Sequence, residues 1–114
     1  MKKLLIILVL GLPMLFQFCS STKKAQAVKA SNITYMANVQ DLVMGNCSPC
    51  HIPPKGFKKP FDNYNAVMQN IDEIIERIKK QPDEKGFMPF KHSRLPDSTI
   101  LVFENWKKAG TPEK

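Results

Sequence analysis

Cys47-Ser48-Pro49-Cys50-His51 is the stretch on which the reading of this 114-residue chain turns. C-x-x-C-H is the local signature of covalent haem attachment, in which two thiols form thioether bonds to the porphyrin and the adjacent imidazole reaches the iron from the same turn. Both anchors and a proximal ligand therefore come from one short segment. The thiols of Cys47 and Cys50 are the candidate attachment points, and His51 is the candidate proximal iron ligand.

Two blander chemistries compete for these residues. Structural zinc needs four closed Cys or His ligands. The motif supplies three, and the rest of the chain offers only Cys19 and His92, with no second C-x-x-C. A thioredoxin-like redox pair sits at a strand-to-helix junction inside a βαβ pattern, and no such pattern surrounds Cys47.

The start of the chain sets the compartment. Met1-Lys2-Lys3 is a short basic region followed by an apolar run from Leu4 to Phe18, the form of an export signal. The run is interrupted by Pro13 and Gln17 and falls short of the roughly 20 apolar residues of a comfortable membrane span. Residues 1–18 are therefore read as a signal peptide, 19–32 as a linker and 33–112 as the folded domain. The junction has two readings. Cys19-Ser20-Ser21 looks like the start of a lipoprotein, with Cys19 as the lipidated residue, although Phe16 and Phe18 make a poor lipobox. Ala25-Gln26-Ala27 has the small-x-small pattern of ordinary cleavage, after residue 27. Both place the domain outside the inner membrane, in the periplasm or tethered facing it.

Charge loses its weight once the leader is set aside. The whole chain carries a formal +7, but Lys2, Lys3, Lys23 and Lys24 all precede residue 28 and no acidic residue does, so removing those four lysines leaves +3. A start at Cys19 removes two of them and leaves +5. Neither value argues for nucleic acid as a partner. About 87 residues after Ala27 make one small domain with a thin side-chain core, and the flat apolar face of a covalent porphyrin can complete it.

Periodicity predicts three main helices. The first runs from about Thr34 to Asn46, with Met36, Val39, Leu42 and Val43 on one face, and delivers the chain to Cys47. The second carries Tyr64, Val67, Met68, Ile71, Ile74, Ile75 and Ile78 at 3.6-residue spacing, with Asp62 or Asn63 to cap it. Its Asp72, Glu73 and Glu76 lie ahead of Arg77, Lys79 and Lys80, the order favoured by the helix dipole, and read as a solvated face. The third begins with Asp97 as N-cap and runs through Ile100, Leu101, Phe103 and Trp106 to Gly110 as the stop. Between them, 52–61 and 81–96 are rich in Pro, Gly and Lys, with no strand alternation, and read as loops folded around the cofactor.

Gly86-Phe87-Met88-Pro89-Phe90 offers a thioether 37 residues after His51. Pro89 holds Met88 in an extended conformation and Gly86 permits close backbone approach, so Met88 is the candidate sixth ligand. Met36 and Met68 fall on apolar helical faces and Met44 comes just before the motif, so these three read as core. His92, four residues beyond Met88, is the competing ligand.

The chain at this point resembles the small single-haem class I cytochromes c in their exported bacterial form. The resemblance covers 33–112 and rests on motif order: a helix entering C-x-x-C-H, the Met88-Pro89 loop, and a last helix led in by Leu95-Pro96-Asp97 and ending Trp106-Lys107-Lys108-Ala109-Gly110. It implies an all-α fold of about three main helices wrapped around one haem c per chain, with the first and last helices crossing near it. It also implies a backbone carbonyl in the loop after His51, near Pro60, that receives the proximal imidazole N–H.

The activity implied is one-electron transfer with His51/Met88 ligation, and not catalysis on a substrate. The partners implied are redox proteins, including a membrane respiratory complex to which a lipid at Cys19 would tether the domain. Lys55, Lys58 and Lys59 are candidates for steering an acidic partner, against the plainer reading of a solvated lysine cluster. The alternative function is a haem sensor or small-ligand-binding protein whose sixth position opens, with His92 as the one nearby group suited to proton chemistry at neutral pH.

Overall fold

The computed structural model describes residues 32–114. The stretch read as a signal peptide, both cleavage alternatives and Cys19 lie outside the described residues. All the regular structure among these residues is helical. It comprises α1 (Gln40–Cys47), α2 (Tyr64–Gln69), α3 (Ile71–Lys79) and α4 (Asp97–Lys108), with a single π-turn over Tyr35–Val39 running directly into α1.

The expected first helix is thus two kinds of helix in series. Thr34 caps it, its Oγ1 accepting from the Ala37 N–H at 3.2 Å, and Asn38 Oδ1 reciprocates by accepting from the Thr34 N–H at 3.0 Å. The Gln40 N–H reaches back five residues to the Tyr35 carbonyl, which inserts one residue into the turn and rotates what precedes it. Tyr35, Val39 and Val43 are consequently the buried row, while Met36 is 53% exposed. Met44 is exposed as well, so of the three methionines read as core only Met68 packs against it.

The expected second helix is divided at Asn70, making four α-helices where three were predicted. Asn70 has φ −113° and ψ 11°, and its Nδ2 donates to the Ala66 carbonyl at 2.7 Å. This is the local competition with the helix ladder that makes asparagine a poor interior residue. The apolar row survives the break, because Val67, Ile71, Ile74 and Ile78 are all buried. Asn63 caps α2 through its side chain, accepting from the Ala66 N–H at 2.9 Å.

In α4, Asp97 is the first helical residue and Pro96 holds the cap position, so Asp97 is not the expected N-cap. Its carboxylate pairs with Arg94 Nη1 at 2.7 Å instead. Ile100, Phe103 and Trp106 face inward, and Leu101 points out at 51% exposure. The helix ends as predicted at Gly110: with φ +85° there, the Gly110 N–H bonds to Lys107 O and the Thr111 N–H to Trp106 O, the paired bonds of a Schellman stop.

Past that stop the chain turns back onto the π-turn. The first helical N–H groups have no partner within their own helix, and here Tyr35 and Met36 donate to the Pro112 and Glu113 carbonyls at 2.9 and 3.1 Å. Trp106 Nε1 also donates to Pro112 O, and the Tyr64 hydroxyl donates to Thr111 O, both at 2.9 Å. The rings of Tyr35, Tyr64 and Trp106 pack together with centroids 5.5 to 6.3 Å apart. Helix α4 therefore meets the amino-terminal π-turn on one side. On the other it packs against α3, bridged by Lys79–Glu104 at 2.6 Å and by Lys107–Asp72. This frame leaves the two loops, 52–61 and 81–96, on the face where α1 ends.

Candidate functional site

Helix α1 ends at Cys47, and Ser48 leaves it in an extended conformation. The His51 N–H still reaches the Cys47 carbonyl at 3.0 Å, so the motif is wound as one turn with Cys47 and His51 at its ends. The loop that follows folds back on this turn. Lys58 N–H donates to Cys50 O at 3.1 Å and Phe61 N–H to His51 O at 2.9 Å. Gly56 makes the return possible, because a Cβ there would stand 2.9 Å from the Cys50 carbonyl oxygen.

His51 is held on both sides by that loop. The Phe61 ring stacks on the imidazole, with centroids 4.5 Å apart and planes 10° from parallel. Nδ1 lies 2.7 Å from the Lys59 carbonyl oxygen. A carbonyl only accepts, so Nδ1 carries the proton, and the lone pair of the neutral ring resides on Nε2. This is the orienting bond that metal-ligating histidines commonly make. The carbonyl expected near Pro60 is that of Lys59.

The second loop is hung from α3. The Met88 N–H donates to the Arg77 carbonyl at 3.2 Å, and Phe87 is buried beside it. Gly86 adopts φ +87°, and its carbonyl accepts from Arg77 Nη1 at 3.3 Å. The close backbone approach expected of Gly86 is made to this guanidinium.

Between the motif and the second loop lies a cavity of about 550 Å³, within the roughly 300–1,000 Å³ range of small-molecule and cofactor sites. Cys47, Cys50, His51, Met88 and His92 all line it, and Ile74, Ile78, Leu95 and Phe103 provide apolar walls from α3, α4 and the lead-in to α4. Cys47 and Cys50 are free thiols. Burial pushes the Cys47 thiol up to about 11, which disfavours the thiolate that zinc ligation or thiol exchange requires. Among the described residues, no three Cys, His, Asp or Glu side chains come together as a chelating group. The donors that share the lining of this apolar cavity are two thiols, an imidazole and a thioether. That set fits a covalently attached haem.

Charged residues at the cavity depart from the reading of α3 as a merely solvated face. Glu73 and Arg77 both line it. Glu73 pairs with Lys59 Nζ at 3.0 Å and with Arg77 Nη2 at 2.8 Å. The hydrogen bond from Lys59, then that from Arg77, holds the Glu73 carboxyl below the ordinary carboxylate range. Lys59 also donates to Asn70 Oδ1 at 2.9 Å, so its ammonium is engaged at home. Lys58 lies over the exposed Phe57 ring, 5.0 Å from its centroid, and Lys55 is exposed on the loop.

Phe61, Gly56, Glu73 and Arg77 were missed as parts of the site. Phe61 carried a faint signal, as a lone apolar residue between Pro60 and the Asn63 cap. Glu73 and Arg77 carried none, because i,i+4 charge pairs decorate most exposed helices. Comparisons with protein-family models, with curated proteins and with solved structures return no match to this chain.

Proposed function

We propose that this chain is an exported, single-haem electron carrier with a class I cytochrome c-like fold, in which His51 and Met88 would ligate the iron. The observation that carries the reading is the His51 Nδ1 to Lys59 carbonyl bond of 2.7 Å, made by a C-x-x-C-H histidine at an apolar cavity that Met88 also lines. A haem bound there supplies one-electron exchange at its iron.

The chain's own residues account for the rest. Cys47 and Cys50 would anchor the group, and Lys59 O accepts from His51 Nδ1, which would leave Nε2 as the ligand atom. Phe61 keeps the imidazole plane from turning. The apolar walls exclude water and lower the local dielectric, which together with a neutral thioether favours the reduced state relative to a second imidazole. The partner is a redox protein, and a lipid at Cys19 would hold the domain at the membrane beside it. Lys55 and Lys58 keep their ammonium groups at the surface for an acidic partner, whereas Lys59 serves the site.

A second reading, a haem sensor with a labile sixth position, draws support from His92, which lines the same cavity from an exposed position. The two are separated by optical spectra of the exported protein made with a haem-attachment system, oxidised and reduced, with and without CO. A carrier shows low-spin covalent haem, an Fe(III)–methionine charge-transfer band and no CO binding. Met88→Ala should abolish the band, lower the potential and admit CO, while His92→Ala leaves all three as they were. High-spin haem that binds CO in the unaltered protein would establish the sensor reading, and absence of covalent haem would sink both.

A further inference from the structure

We propose that Glu73 is a positioning residue whose one carboxylate ties together the loop that orients His51 and the loop that carries Met88. The inference rests on the His51/Met88 reading above for its functional meaning, but its geometry stands separately. Glu73 Oε2 accepts from Lys59 Nζ at 3.0 Å, and the carbonyl of that same lysine holds His51 Nδ1. Glu73 Oε1 accepts from Arg77 Nε at 2.9 Å. Arg77 in turn holds the other loop twice, through its carbonyl to the Met88 N–H at 3.2 Å and through Nη1 to Gly86 O at 3.3 Å.

The strength of such a tie lies in direction more than in global stability. Both ion pairs are partly exposed, with Glu73 at 40%, and pairs of that kind add little to unfolding free energy. Orientation is another matter. Without Glu73, Lys59 keeps only its bond to Asn70, and the Arg77 guanidinium is free to leave Gly86 for water. The Met88 N–H keeps the Arg77 main-chain carbonyl, but the Lys59 side chain loses one of its two anchors and the Gly86 carbonyl its guanidinium, so both loops are held more loosely against α3. Glu76 provides the contrast: it lies on the same helix, is 69% exposed and pairs at 3.3 Å with Lys80, whose Nζ donates to Lys85 O at 3.2 Å, so it reaches the second loop alone and not the first.

The test compares the haem-loaded exported protein with Glu73→Gln, Glu76→Gln and Met88→Ala. The probes are added imidazole, which competes with Met88 for ferric iron, and hydrogen exchange of the Phe61 and Met88 amides. Glu73→Gln should raise imidazole affinity about three- to tenfold, the range expected from losing two partly exposed charged contacts. It should also speed exchange in both loops, whereas Glu76→Gln leaves the Phe61 amide and the imidazole affinity as in the unaltered protein. Equal behaviour of Glu73→Gln and Glu76→Gln in both readouts would overturn the proposal, as would faster exchange confined to one loop. If Met88 is not a ligand, Met88→Ala leaves imidazole affinity unchanged, and faster exchange of both loops in Glu73→Gln still establishes the tie.

Discussion

Two glycines in this domain have nearly the same positive φ and opposite surroundings, which makes them a matched pair for testing the second loop. Gly86 has φ +87° and Gly110 φ +85°. An alanine at either position meets the left-handed penalty of about 1–2 kcal/mol. A Cβ at Gly110 would touch nothing within 4 Å, whereas one at Gly86 would lie 2.9 Å from Arg77 Nη1. The guanidinium is the flexible end of a side chain and would move aside, losing its bond to Gly86 O. That bond is partly exposed, so its loss adds the lower part of the usual range, about 0.5–1 kcal/mol. Gly86→Ala should therefore cost about 1.5–3 kcal/mol and Gly110→Ala about 1–2 kcal/mol, with Gly86→Ala the costlier by about 0.5–1 kcal/mol. The assay is urea unfolding of the two variants and of each combined with Arg77→Met. Removing the guanidinium should shrink the cost of Gly86→Ala to that of Gly110→Ala and leave Gly110→Ala untouched. Additivity of Gly86→Ala with Arg77→Met would refute the reasoning, because it would mean that Cβ and guanidinium never compete.

Three further outcomes follow from other parts of the molecule. Trp106 is fully buried, so Trp106→Ala should cost about 3–5 kcal/mol in urea unfolding, with Trp106→Phe intermediate because it mainly loses the bond to Pro112 O. In the chain with its thiols free, the Cys47 thiol is raised from an ordinary 9.0 to about 11, so its stabilising contribution is complete below pH 9 and is lost as pH rises through about 11. Alkylation of Cys47 near pH 9 should accordingly be many-fold slower in the folded chain than in urea, and equal rates would contradict the burial. Thr111 adopts φ +54°, a costly conformation for a β-branched residue, so Thr111→Asn should raise the unfolding free energy by about 1 kcal/mol while the Tyr64 bond to the backbone carbonyl remains.

Much of this molecule was legible in the residues themselves because its signals are local. The spacing of Val67, Ile71, Ile74 and Ile78 specifies one buried face whatever surrounds it, and Gly110 followed by Pro112 marks a helix end by backbone chemistry alone. C-x-x-C-H, Met88-Pro89 and His92 could be singled out because each carries its donor chemistry in a short stretch. The break at Asn70 was hidden by the same regularity that announced the helix, since an asparagine can cap or continue a turn and the apolar row crosses it undisturbed. Met36, Met44 and Leu101 look like core to any periodicity argument. The π-turn moves Met36 off the buried row, while the inward rows of α1 and α4 leave Met44 and Leu101 outside. Only the tertiary structure decided that Lys59 contributes its carbonyl to His51 and its ammonium to Glu73, that Phe61 stacks on the imidazole, and that Arg77 supports Met88 from 11 positions away. Two of those contacts run through backbone carbonyls, a group common to all residues that leaves no mark in a sequence, and the other two join ordinary side chains that only the folding of the chain brings together.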